Sequence, residues 1–271
     1  IGLISTESLL AQGGINWGKD GQSYYRNENG EIVRYVLPEN KKEVLVMKDK
    51  LKTAGAEKSI PIRSFKFSAD YGQLLLYTNS KKVWRADTRG DYWHYQIANG
   101  QFRQLGKSRP ASSLMFAKFS PDGKKVAYVS EYNLYVEDLA TGKIRALTTG
   151  GNRKLINGTF DWAYEEEFFC RDGFRWSPDS KQLAFWQIDA RGTKDYLMLN
   201  NTDSIYPYAV PVEYPIAGEP PSKYRIGTVN VLTGKTNWMK IPDDTVWRTY
   251  VPRMEWAANS SELIIQHLNR K

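Results

Sequence analysis

Apolar positions along the chain fall in short runs, each introduced by an aromatic residue and a polar turn. Trp17-Gly18-Lys19-Asp20-Gly21 leads into Gln22-Ser23-Tyr24-Tyr25, and Phe67-Ser68-Ala69-Asp70 into Leu74-Leu75-Leu76-Tyr77. Phe119-Ser120-Pro121-Asp122-Gly123 leads into Val126-Ala127-Tyr128-Val129, and Trp176-Ser177-Pro178-Asp179-Ser180 into Leu183-Ala184-Phe185-Trp186. Trp256-Ala257-Ala258-Asn259-Ser260 leads into Leu263-Ile264-Ile265. An aromatic, a turn and an apolar strand together predict a hairpin. A second hairpin follows most copies. Leu134–Leu139 turns at Ala140-Thr141-Gly142-Lys143 and returns through Ile144–Leu147; Gly227–Val231 turns at Leu232-Thr233-Gly234-Lys235 and returns through Thr236–Met239. A looser copy runs from Val33–Val36 through Pro38-Glu39-Asn40 to Val44–Val46.

Two hairpins per repeat make a four-stranded unit. The first aromatic spacings, 17 to 67, 67 to 119 and 119 to 176, lie slightly above the roughly 40–50 residues of a propeller blade. Long segments of 3.6-residue period are absent from the sequence, which argues against a helical solenoid. The expected fold is all-β: a β-propeller of four-stranded blades. The five starts supply four units and the beginning of a fifth, so the expectation is a partial arc, truncated at its C-terminus. The last spacing, 176 to 256, is longer, with its excess between Arg191 and Lys223. Tyr206-Pro207-Tyr208, Val210-Pro211, Tyr214-Pro215 and Gly218-Glu219-Pro220-Pro221 lie there. Because Pro removes ladder donors, this stretch reads as an extended insertion over a face rather than another hairpin. Such loops are often functional, and a plain strand connector is the alternative.

Composition narrows the function. The 271 residues are 41% hydrophobic and 13% aromatic, enough for a buried core. The net charge of +8 comes from scattered pairs such as Lys41-Lys42, Lys81-Lys82 and Lys124-Lys125. Solvated turns account for these, and nucleic acid is not an expected partner. Cys170 is the single cysteine, so there is no internal disulfide; with only His94 and His267 to act as base, it reads as an inert, partly buried thiol. No apolar run reaches the roughly 18 residues of a membrane helix. Ile1-Gly2-Leu3-Ile4 has no initiator Met and no charged n-region. Asn269-Arg270-Lys271 follows directly on an apolar run. Any signal peptide is expected to have been removed or left out, and the ends point to a piece of a longer protein.

Asp161-Trp162-Ala163-Tyr164-Glu165-Glu166-Glu167-Phe168-Phe169-Cys170 runs against the basic background. Aromatics bring large apolar area into a core, while Glu is rarely buried unless paired. Anchoring by Trp162, Tyr164, Phe168 and Phe169 would fix three acids at a surface or cavity wall, a site suited to an ammonium group or a metal. A solvated acidic face is the plainer reading of the same run.

With Phe174-Arg175-Trp176-Ser177-Pro178-Asp179 after it, the acidic stretch resembles the N-terminal propeller of the dipeptidyl peptidase IV family, in the prolyl oligopeptidase clan of serine peptidases. Val83-Trp84-Arg85 is similar to the family's Trp-Arg segment, and Pro211–Gly218 to its Pro-x-x-Tyr-Pro-x-Ala-Gly segment. Arg253–Ala257 and Gln266–Arg270 are similar too. The resemblance implies that residues 1–271 are part of an eight-bladed propeller capping an α/β-hydrolase domain of the same polypeptide. It implies that Glu166 and Glu167 grip the α-ammonium of a peptide with a free N-terminus, because an ammonium has three donors and bonds to two carboxylates fix its position and direction. Arg85 would bind the first residue's carbonyl and balance the acids, and Glu165 either joins them or serves structure. Trp162 and Tyr164 are assigned to packing. Cleavage of X-Pro or X-Ala dipeptides, no cofactor, a homodimeric parent and a periplasmic or secreted location are also implied, and the absence of disulfides suits a bacterial member better than an animal one. A Gly-x-Ser-x-Gly elbow is absent, so the catalytic triad is expected beyond Lys271, and this piece should bind without hydrolysing.

A tripeptidyl relative, a propeller scaffold for protein partners, and a carboxylate metal site at Glu165–Glu167 are the competing readings. The last is weak: three consecutive residues rarely converge on one ion, and no His is near in sequence. Sequons at Asn157, Asn200 and Asn259 carry weight only in a eukaryotic source.

Overall fold

A computed structural model describes residues 15–242 and 249–269. The readings made at Ile1–Ile4 and Arg270–Lys271 lie outside the described residues. The chain forms two compact units: Ile1–Lys81 with Arg89–Ser112, and Ser113–Lys271 with the hairpin tip Lys82–Thr88.

Unit one holds two four-stranded antiparallel blades. The first runs Asn16–Trp17, Ser23–Glu28, Glu31–Val36, Lys41–Val46. The second runs Ser64–Phe67, Gln73–Val83, Ala86–Gln96, Phe102–Gln104, its long central hairpin reaching to the tip at Trp84 and Arg85. Ile32, Val46 and Leu51 pack with Phe65, Leu74, Leu76 and Tyr95.

Unit two holds a third blade, Leu114–Phe119, Lys125–Ser130, Asn133–Asp138, Ile144–Ala146. A fourth is built on Phe174–Trp176, Gln182–Asp189, Lys223–Asn230 and Thr236–Trp238, with Leu155–Asn157 pairing the far half of Gln182–Asp189. Thr249–Trp256 and Leu263–Asn269 form a further hairpin. Central strands are buried on both faces because blades stack, which is why Val126–Val129 and Leu183–Trp186 read as continuous apolar runs rather than alternating ones. One core joins the third blade to the fourth through Ala127, Val129 and Leu134 with Phe174, Phe185 and Val229. Another joins the fourth to the last hairpin through Trp186, Ile188 and Ile226 with Val251 and Met254.

The repeated Ser-x-Asp turn has a chemical reason. Ser120 Oγ donates to Asp122 at 2.6 Å and accepts from the Lys125 amide at 2.9 Å; Ser177 repeats this with Asp179 and the Gln182 amide. Ser68, Asp70 and Gln73 form the same set in unit one. The repeats also staple neighbours: Trp176 Nε1 donates to the Lys118 carbonyl, and Trp256 Nε1 to that of Arg175. The Asp122 amide donates to Ser180 Oγ and the Asp179 amide to Ser260 Oγ.

The Arg191–Lys223 insertion departs from expectation. It is a hairpin after all, a two-stranded ribbon in which Asp195–Asn200 pairs with Tyr208–Glu213. Pro211 sits opposite Leu197, and a two-stranded ribbon tolerates it because each strand keeps an open edge where no amide is needed. The sequon at Asn157 is fully buried, its Nδ2 donating to the Tyr132 carbonyl.

Candidate functional site

The acidic stretch folds as a short helix, α1 (Trp162–Phe168), inserted in unit two between Leu155–Asn157 and Phe174–Trp176. Asp161 caps it: extended at φ −82°, ψ 178°, it accepts the Tyr164 amide at 3.1 Å. Ser222 Oγ donates to its second oxygen at 2.6 Å. Burial pushes the Asp161 carboxyl up, with the Ser222 and Tyr164 bonds opposing. Phe169 ends the helix in the left-handed region, φ 57°, and the Cys170 amide donates back to the Tyr164 carbonyl at 3.1 Å. Arg253 Nη1 donates to the Phe168 carbonyl at 3.2 Å, satisfying the helix's last turn with a cation.

Packing fixes the face on which each acid stands. Tyr164 is 1% exposed, its ring against Phe160, Phe168 and Tyr250, with the Val251 amide donating to its hydroxyl. Trp162 packs on Tyr214 at 4.4 Å between centroids. Phe169, expected as an anchor, is instead 74% exposed, because the left-handed cap turns it out of the core. Cys170 is buried, its Sγ donating to the Pro252 carbonyl at 3.2 Å; burial pushes the thiol up, the opposite of an activated nucleophile.

The three glutamates part company. Glu165 is buried and accepts from Arg171 Nε at 2.9 Å; burial pushes its carboxyl up, with Arg171 opposing. Glu166 accepts from Arg85 Nε at 2.5 Å. Glu167 is exposed and has no partner among the described residues. Their partners differ, so the three do not converge on one point. Among the described residues no group of three His, Cys, Asp or Glu side chains could hold a metal ion. Arg85, on the hairpin tip after Trp84 (φ 51°), is well exposed while Glu166 is largely covered. The structure thus brings Arg85 to Glu166, leaves Glu167 exposed next to it in the chain, and turns Glu165 inward. A recess of about 260 Å³ lined by Tyr224, Arg225, Met239, Ile241 and Thr249 holds none of the four.

Sequence reasoning missed Asp161, Arg171 and Arg253. An Asp directly before the aromatic run is a capping signal that could have exposed the helix. Arg171, close behind Glu165, was a candidate partner. Arg253 gives no local signal, standing far along the chain.

Four-stranded blades with an acid-bearing helix set into them define a β-propeller. A family model described as the dipeptidyl peptidase IV (DPP IV) N-terminal region matches residues 68–271. The chain belongs to that family. It is 29% identical over 212 residues to dipeptidyl aminopeptidase B of Saccharomyces cerevisiae, covering 76% of this chain and 25% of the relative. It is 25% identical over 279 residues to inactive dipeptidyl peptidase 10 of Rattus norvegicus, covering 98% and 34%. The crystal structure of Porphyromonas gingivalis dipeptidyl peptidase 4 superposes with TM-score 0.85 at 28% identity, over 95% of this chain and 36% of that one. A second structure, of a Bacteroides ovatus protein, shares the fold at TM-score 0.66 and 20% identity. The chain therefore spans about a quarter to a third of the curated relatives it matches.

Proposed function

We propose that this chain is the substrate-recognising and gating propeller of a serine dipeptidyl peptidase that releases X-Pro or X-Ala dipeptides. Glu166 and Glu167 receive the peptide's α-ammonium, and Arg85 holds Glu166 in place while offering its remaining donors to the first carbonyl. The observation carrying this reading is a pair of adjacent carboxylates on a capped, packed helix, one engaged by a guanidinium and the other exposed without a partner among the described residues. A rigid clamp measures a set distance to the nucleophile, so cleavage falls after the second residue. The nucleophile belongs to an α/β-hydrolase domain of the same polypeptide, and the whole is a homodimer in the periplasm or secreted. The relatives named as dipeptidyl peptidases support the activity.

The test uses the full natural polypeptide and a Gly-Pro chromogenic anilide against its N-acetylated form. Wild type should cleave only the free amine. Glu166→Gln with Glu167→Gln should lower kcat/KM on it by at least about 100-fold, since hydrogen bonds to charged groups are worth roughly 1.5–3 kcal/mol each. Equal cleavage of both forms would remove the acids from recognition. A second reading, a non-catalytic propeller that scaffolds partners, is favoured by the similarity to a relative named as inactive; folded polypeptide that cleaves neither form would support it.

A further inference from the structure

The roots of the ribbon insertion are held by a charged clasp that ammonium recognition does not use. Asp195 and Glu213 stand directly opposite each other where the ribbon leaves the blade. Like charges in that position repel, and Glu213 is buried, so the pair alone would part the strands. Arg153, just before Leu155–Asn157, sits between them. Its Nη1 donates to Glu213 Oε1 and to Asp195 Oδ1 (3.1 Å), and its Nη2 to Asp195 Oδ2 (3.0 Å). A planar guanidinium fork suits two carboxylates as an ammonium cannot. Lys154 Nζ lies 3.1 Å from Asp195 and donates to the Thr193 carbonyl at 3.1 Å.

The same roots touch the acidic helix. Tyr214, next after Glu213, packs on Trp162 of α1 at 4.4 Å, and Tyr196, next after Asp195, packs on Tyr214 at 5.7 Å. Ser222, which donates to the helix cap Asp161, lies 3.3 Å from Thr193 Oγ1 at the other root. The chain leaving the ribbon therefore bears directly on the first turn of α1, and the chain entering it does so through Tyr214 and Ser222.

We propose that Arg153 is a positioning residue: by neutralising Asp195 against Glu213 it keeps the ribbon root closed, and the root, through Tyr214 on Trp162 and Ser222 on Asp161, sets where Glu166 and Glu167 point. The kinetic half of this rests on the ammonium-clamp reading; the helix-ordering half does not. The ribbon is thus more than an appendage, since its root is a wall of the recognition helix.

The test again takes the full natural polypeptide, with Arg153→Met and with the triple variant Arg153→Met, Asp195→Asn, Glu213→Gln, which removes the cation and the repulsion together. Hydrogen exchange over residues 161–170 should speed several-fold in Arg153→Met and return toward wild type in the triple variant. KM for the free-amine anilide should rise about tenfold with kcat changed less than about threefold, and recover likewise. Arg191→Met, which breaks only an exposed pair with Asp189, should change neither. Unchanged exchange over 161–170 in Arg153→Met, or no recovery in the triple variant, overturns the proposal. So does faster exchange with unaltered KM in an enzyme whose kinetics do respond to Glu166→Gln with Glu167→Gln. If those two acids prove irrelevant, the clamp reading falls, and exchange alone decides the clasp. Should Arg153→Met not fold, Arg153→Lys, which keeps the charge and loses the fork, must give intermediate exchange; wild-type exchange there overturns the idea.

Discussion

Asp161 performs two tasks with one carboxylate: it satisfies the Tyr164 amide at the start of α1 and receives the Ser222 hydroxyl. Both donors are buried with it, so removing the acceptor strands the Tyr164 amide and leaves the Ser222 hydroxyl only Thr193 Oγ1, at 3.3 Å. Asp161→Ala should cost roughly 2 kcal/mol, combining a lost cap with a weakened buried hydroxyl bond. Asp161→Asn, an equally good cap whose amide oxygen can still accept, should stay within about 1 kcal/mol of wild type. Urea unfolding of the three proteins decides this, and equal losses for both variants would mean that charge, not capping, is what Asp161 supplies. Glu165 makes a related point. It lies in the middle of the acidic run, yet Arg171 and burial reserve it for structure, leaving the chemistry to its two neighbours.

At the scale of elements, the third blade, the fourth and the last hairpin stack through a two-part staple repeated at both junctions. Trp176 and Trp256 donate to the preceding repeat's backbone, while the Ser180 and Ser260 hydroxyls accept its turn amides. Trp176→Phe keeps most of the apolar area and removes the Nε1 donor, so it should lower stability by about 1 kcal/mol, and Trp256→Phe similarly. Calorimetry should show one shifted transition in each case. A wild-type Tm would show that the ring's area, not its bond, matters. These staples explain why the repeat was legible: an aromatic, a Ser and an Asp recur because each has a fixed partner in the turn or the next blade. The ribbon was not legible, because Pro207, Pro211 and Pro215 argue against pairing wherever both edges of a strand are used, and the sequence does not say that Asp195–Asn200 has only one neighbour. Helix α1 escaped for another reason. At seven residues it is too short to show a period, and only Asp161 marked its start. The acids themselves could be read from the Glu run and its resemblance, but not their division of labour, which depends on Arg85, 81 positions from Glu166.

For the molecule as a whole, two sets of carboxyls pull the pH dependence of stability in opposite directions. Asp70 and Asp179 are held low, chiefly by the Ser68 and Ser177 hydroxyls of their turns, and Asp195 is lowered from 3.8 to about 2, chiefly by its hydrogen bond from Arg153. Between those values the unfolded chain binds more protons than the folded one, so their contribution is complete above about pH 4 and is lost as pH falls toward 2. Asp161, Glu165 and Glu213 are raised, all chiefly by burial. For them the folded chain keeps protons longer, and stability declines as pH rises through their folded values. Stability should therefore climb steeply from pH 2 to about 4 and then fall off gently. Asp195 offers the sharpest check, because its partner is known and its neighbour across the ribbon, Glu213, moves the other way. Asp195→Asn cannot gain from ionisation, so wild type should exceed it by a constant margin above about pH 4, and most of the margin should be gone by pH 2. Urea midpoints of both proteins at pH 2, 3, 4.5 and 7 would measure it. A gap that persists unchanged at pH 2 would assign the loss to ribbon geometry, and the clasp would then hold by shape rather than by charge.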